Sequence, residues 1–119
     1  MSSSPADKAA DRLRGHPPET LAAYRAYQAS HDPSHLDELV LRLLVFLLPE
    51  QPAQGPMELP DSTRLREDLG VDSITIAELV FMLEDLFDLT IQNEELVGLE
   101  TVADLRRFIR QKIKAASSQ

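Results

Sequence analysis

The chain has 119 residues, a formal net charge of −8, 43% hydrophobic residues and only 5% aromatic ones, with no Trp and no Cys. That length supports one core, which must be aliphatic, and the missing Cys excludes a disulfide framework, a thiolate metal site and a cysteine nucleophile. The first residues lack the apolar stretch of a secretory signal, and the longest apolar run, residues 43–48, is far too short to span a bilayer, so a cytoplasmic location is expected.

Residues 1–17 are rich in Ser, Ala and charge and show no apolar periodicity, which predicts a disordered or frayed arm. Pro17-Pro18 followed by Glu19 signals a helix start. A short helix is expected over residues 20–29, in an extension spanning 18–32. It should pack on the next helix as a satellite contact, so that its deletion costs little. Asp32-Pro33 then marks a boundary, with Asp able to cap and Pro suited to the first helical position. Leu36, Leu39, Val40, Leu43, Leu44 and Leu47 recur at three- and four-residue spacings and predict a strong amphipathic helix. Leu41, Val45, Phe46 and Leu48 widen that stripe, which predicts cover on more than one side.

Pro49 ends this helix, and Pro52, Gly55, Pro56 and Pro60 make residues 50–62 a long loop. Leu65 and Leu69 are expected to pin its far end to the core. A second strong helix starts near Asp72 and carries Ile76, Leu79, Val80, Leu83, Leu86 and Phe87 at helical spacing. Asn93 opens a short element that Gly98 stops. Thr101, with Asp104 at the capping-box position, opens a last helix whose inner stripe is Val102, Leu105, Phe108, Ile109 and Ile113. No strand signal of comparable strength and no repeat appears. The fold class is all-α: a small bundle with three main helices, one short helix, a long first loop and an extra N-terminal helix. Its main domain runs over residues 33–116, with a tail at 117–119.

Charge is uneven. Between residues 58 and 100 the only bases among many acids are Arg64 and Arg66, whereas Arg106, Arg107, Arg110, Lys112 and Lys114 crowd the last helix. An acidic middle repels nucleic acid and suits basic protein partners, although acidic faces also serve solubility alone. Cations at a C-terminal helix end complement its dipole. His31 and His35 have helical i, i+4 spacing, but Pro33 between them and the lack of a third ligand argue for surface histidines, and no metal is expected.

The stretch with chemical content is Glu67-Asp68-Leu69-Gly70-Val71-Asp72-Ser73-Ile74. Gly70 permits a tight turn. Asp72 and Ser73 then sit where a helix leaves backbone N–H groups without partners, and Ser73 should be exposed because the inner stripe begins after it. For an isolated Asp-Ser pair the ordinary reading is an N-cap. No histidine motif or Gly-x-Ser-x-Gly elbow accompanies Ser73, which argues against a serine hydrolase.

The wider order is an aliphatic helix, a long loop, the motif above, an acidic helix with Glu84-Asp85-Leu86-Phe87-Asp88, a short helix, and a terminal helix opened by Thr101-Val102. This order over residues 35–113 resembles the acyl carrier protein family. The resemblance implies a non-enzymatic carrier in which Ser73 is esterified with 4′-phosphopantetheine from coenzyme A, with Asp72 in support. It also implies that Glu78, Glu84, Asp85 and Asp88, with Ile74, dock basic surfaces of a phosphopantetheinyl transferase and of acyl-transferring, condensing or ligase enzymes. A solvated face competes with that reading at each acid taken singly. Phe81 and Met82 are further candidate contacts. Val80, Leu83, Leu86, Phe87, Ile91 and Val102 are candidates for lining an acyl chain, against plain core packing.

A monomer serving fatty acid, specialised lipid or polyketide biosynthesis is expected. Ile74, Thr75, Leu86, Gln92-Asn93 and the N-terminal extension depart from the housekeeping fatty-acid pattern and imply a specialised member. An unmodified adaptor, an aminoacyl or peptidyl carrier, and a module phosphorylated at Ser73 stand as alternatives.

Overall fold

The computed structural model describes residues 5–53 and 55–117. Five α-helices run α1 Pro5–Arg12, α2 Pro18–Ser30, α3 Pro33–Leu47, α4 Ser73–Phe87 and α5 Val102–Ser117, with short 3-10 turns at Pro56–Glu58 and Asn93–Leu96. Among the described residues there is no strand, only one isolated backbone pairing between Arg64 and Thr101.

α3 is the central element. Asp32 caps it by accepting from the Ser34 N–H at 2.9 Å, and Pro33 occupies its first turn. Leu36, Leu39, Val40, Leu43 and Leu44 are almost completely buried, and Leu41 and Val45 are buried as well. The helix is covered on more than one side because α2 packs along one flank while α4 and α5 pack against others. Phe46 does not join the core; it is exposed and stacks on the His16 ring at 3.8 Å.

The N-terminal region differs from the expectation of a structureless arm. α1 is helical, and Ala9 and Leu13 are buried. Their i, i+4 spacing puts both on one helix face, but Ala contributes too little hydropathy for the pattern to stand out in sequence. Residues 1–4 of the expected arm and residues 118 and 119 of the expected tail lie outside the described residues. α2 forms where expected, and it is more than a satellite. Thr20, Ala23, Tyr24 and Tyr27 are buried, and both tyrosine rings meet Phe87 of α4, at 5.6 and 6.0 Å between centroids. The Tyr24 hydroxyl donates to the Leu86 carbonyl at 3.3 Å. α2 therefore bridges α3 and the end of α4.

The long connection is pinned at Leu59, Leu65 and Val71, all buried, while Leu69 is half-buried. Its backbone also docks on the start of α5: the Leu65 N–H donates to the Glu100 carbonyl at 2.8 Å, and the Val102 N–H to Thr63 at 2.9 Å. Three α5 cations make specific pairs rather than a general dipole complement. Arg106 donates through Nη2 at 2.7 Å, and Arg110 through Nε at 2.9 Å, to the carboxylate of Asp37, which is buried on α3. Arg106 also pairs with Asp61 of the loop. Lys112 reaches Glu95 at 2.7 Å, tying α5 to the Asn93–Leu96 turn.

Candidate functional site

Gly70 adopts φ +71, a left-handed conformation that lets the chain turn sharply out of the loop. Val71 is then buried as an anchor, and Asp72 and Ser73 are exposed at the start of α4. The capping work falls on Asp72. Its Oδ1 accepts from the Thr75 N–H at 2.8 Å and from the Thr75 hydroxyl at 2.9 Å. These bonds hold its carboxyl below the ordinary aspartate range, the backbone donor contributing most. Ser73 is the first residue of the helix, and its hydroxyl has no hydrogen-bond partner among the described residues. The pair thus divides the two roles left open by sequence: Asp72 caps and Ser73 stays free.

Beside Ser73 lies an open groove of about 760 Å³, a size suited to small-molecule ligands. It is lined by Ser73, Ile76, Ala77, Val80 and Glu84 of α4, by Ile91, Leu96 and Leu99 of the segment that follows, and by Arg64, Arg66 and Glu67 of the loop. Of the expected lining residues, Val80 and Ile91 reach the groove. Leu83 and Val102 do not; they are among the most deeply buried side chains of the core. Phe87 is also displaced from that role, because it packs on Tyr24 and Tyr27. Leu86 packs against the core. Sequence reading missed Ile76, Ala77, Leu96 and Leu99. The α4 members were detectable in principle, since residues 73, 76, 77, 80 and 84 share one helical face with Ser73.

The expected docking residues separate into two groups. Ile74 and Phe81 are 67% and 69% exposed, large values for apolar side chains, and Glu78 between them is exposed. Asp88 is exposed at the C-terminal end of α4, where it takes a left-handed conformation with φ 52. Glu84 instead turns toward the groove and accepts from the Ile91 N–H at 2.8 Å, fastening the following loop. Asp85 is paired with Arg12 of α1. Neither of these two carboxylates is a free surface charge.

Residues 52–109 match the phosphopantetheine attachment site family. Among curated proteins, the acyl carrier protein of Wolinella succinogenes is 40% identical over 60 residues, covering 50% of this chain and 79% of that protein. The acyl carrier protein of Prochlorococcus marinus is 35% identical over 75 residues, covering 63% of this chain and 94% of that protein. The chain belongs to the acyl carrier protein family. No solved structure matches it significantly.

As a member of this family the chain is a carrier rather than an enzyme, and its prosthetic group is 4′-phosphopantetheine. The site fits such a group. A free hydroxyl stands at a helix N-terminus, where a phosphodiester is favoured by the dipole and by unpaired N–H groups. A groove opens directly beside it. The described helices include none long and apolar enough to cross a membrane. α1, α2 and α3 precede the family match, so the N-terminal hairpin of α1 and α2 is additional to it.

Proposed function

We propose that Ser73 is the attachment point of the phosphopantetheine arm, and that the chain carries acyl intermediates to partner enzymes of fatty acid, specialised lipid or polyketide biosynthesis. The observation that carries this reading is the unengaged, exposed hydroxyl of Ser73 beside a capping Asp72. When bound, the prosthetic group supplies a thiol that holds the acyl group as a thioester, a sulfur this Cys-free chain lacks.

The chain's own contribution is placement. Asp72 fixes the first turn of α4, and Ser73 presents its oxygen to a phosphopantetheinyl transferase. That oxygen forms the bond to phosphorus of coenzyme A, and the adenosine bisphosphate portion leaves. The base that takes the hydroxyl proton comes from the transferase, since the only histidines, His16, His31 and His35, lie in the N-terminal part of the chain. The groove walls at Ile76, Val80, Ile91 and Leu99 offer apolar cover to an acyl chain. Ile74, Glu78 and Phe81 form the exposed face of α4 that basic, partly apolar partner surfaces would meet. The acidity of α4 favours an acyl load over an aminoacyl one. We assign the carrier domain to residues 33–116, acting as a cytoplasmic monomer.

Intact-mass measurement after incubation with coenzyme A and a promiscuous phosphopantetheinyl transferase tests this directly. One added prosthetic group, absent in Ser73→Ala, is expected. A chain that stays unmodified would instead be an adaptor that binds proteins only.

A further inference from the structure

The hairpin of α1 and α2 places one cation on the acidic helix. Nε of Arg12 donates to a carboxylate oxygen of Asp85, and both side chains keep a little over a third of their exposure, 36% and 39%. α1 is held in that position by buried Ala9, and the segment after it by buried Leu13 and by the His16 stack on Phe46. The Tyr24 hydroxyl bond to Leu86 fastens α2 to the same end of α4. The C-terminal half of α4 is thus already contacted by the chain itself. Nearer its start and middle, Ile74, Glu78 and Phe81 are exposed.

A cation on a carboxylate of α4 is the contact a basic partner would make there. We infer that the N-terminal hairpin is an internal occupant of the docking helix, with Arg12 holding the place on Asp85 that a partner's cation would take. The inference rests on the carrier reading above. It sorts partners by footprint. A protein with an apolar socket for Ile74 and Phe81 and one cation for Glu78 meets an unobstructed surface. A protein that also reads Asp85 must first displace Arg12. On this inference a basic-faced transferase is of the second kind, with a footprint running along α4 from Ser73 to Asp85. An exposed ion pair is weak, so the obstruction is a graded one that a strong partner overcomes.

The test is the rate of prosthetic-group attachment at low salt for the full chain and for Arg12→Ala, Asp85→Asn and the double variant. Arg12→Ala is expected to raise kcat/KM by about two- to fivefold, the factor an exposed ion pair supplies. Asp85→Asn removes both the anchor of Arg12 and the contact itself, so adding Arg12→Ala to it should bring no further gain over Asp85→Asn alone. Arg12→Lys, which keeps the charge, should stay close to the parent. Equal rates across the set, a slower Arg12→Ala, or a gain that persists without Asp85 overturns the inference while leaving the carrier reading standing. Failure of the parent chain to accept the group at all overturns both.

Discussion

Asp72 and Thr75 are joined by two hydrogen bonds, one from the Thr75 backbone N–H at 2.8 Å and one from its hydroxyl at 2.9 Å. This double acceptance closes the first turn of α4 without using Ser73. A serine that capped its own helix would have its oxygen committed to backbone donors. Here the commitment sits one residue earlier, and the serine hydroxyl is available for chemistry.

Separate outcomes are therefore expected at the two positions. Ser73→Ala should leave thermal stability within about 0.5 kcal/mol of the parent and abolish attachment. Asp72→Ala should lower the melting temperature and slow attachment together. The Asp72 carboxyl lies below its ordinary value of 3.8, so its contribution to stability is full above that pH and is lost as the pH falls through the folded value. Acid titration of melting temperature should show a smaller low-pH loss in Asp72→Ala than in the parent.

The groove can be filled without touching the core. Val80 lines it and is only half-buried. Val80→Trp should keep the fold while removing cover from a long acyl chain. Hydrolysis of a long-chain thioester on the loaded protein should then accelerate, whereas a two-carbon load should be unaffected. The comparison is made by intact mass over time.

The hairpin is structural as well as obstructive. Tyr24 is 3% exposed and its ring meets Phe87 at 5.6 Å. Tyr24→Ala should cost about 3 kcal/mol, in the range for deleting a buried aromatic side chain. Denaturant unfolding should show one cooperative transition, shifted as a whole, because Tyr24 ties α2 to α4.

Asp37 holds two guanidinium groups between α3 and α5. Asp37→Ala removes their shared acceptor and leaves two like charges side by side. The arginines are 30% and 44% exposed, so water replaces part of the loss. The expected cost is about 2 kcal/mol, below the figure for a fully buried pair, and is read from the denaturant midpoint.

His16 gives the hairpin a pH dependence. Burial lowers its pKa below the ordinary 6.5, and its Nδ1 has no hydrogen-bond partner among the described residues. The unfolded chain therefore takes up this proton more readily than the folded one. Stability is full above about pH 6.5 and is lost as the pH falls from there through the folded value. His16→Gln should flatten the melting-temperature profile over that interval.

The helices with strong stripes were legible. The spacing of Leu36, Leu39, Val40, Leu43 and Leu44 announced α3, and the motif around Asp72 and Ser73 located the start of α4 and its exposed hydroxyl. α1 was not legible, because its inward face includes Ala9, which carries almost no hydropathy signal yet fits where helices approach closely. The groove was half legible. Helical periodicity separates inside from outside, but it does not separate a side chain facing α3 from one facing a cleft. Leu83 and Val102 fell on the first side of that line, Val80 and Ile91 on the second. The partners of single charges were also hidden, since Arg12 and Asp85 are 73 positions apart in the chain.

The Asn93–Leu96 turn contains no buried residue. It is tied to the bundle by the Glu84 bond to Ile91 and the Glu95 pair with Lys112, and is closed on itself by the mutual capping of Gln92 and Glu95. Polar tethers of this kind can be exchanged for water one at a time, whereas the packed aliphatic layer around α3 must move together. If the groove holds an acyl chain as proposed, this turn is the stretch of its rim that can give way to a bulky load, between the buried Ile91 and the half-buried Leu99, while the leucine layer beneath stays in place.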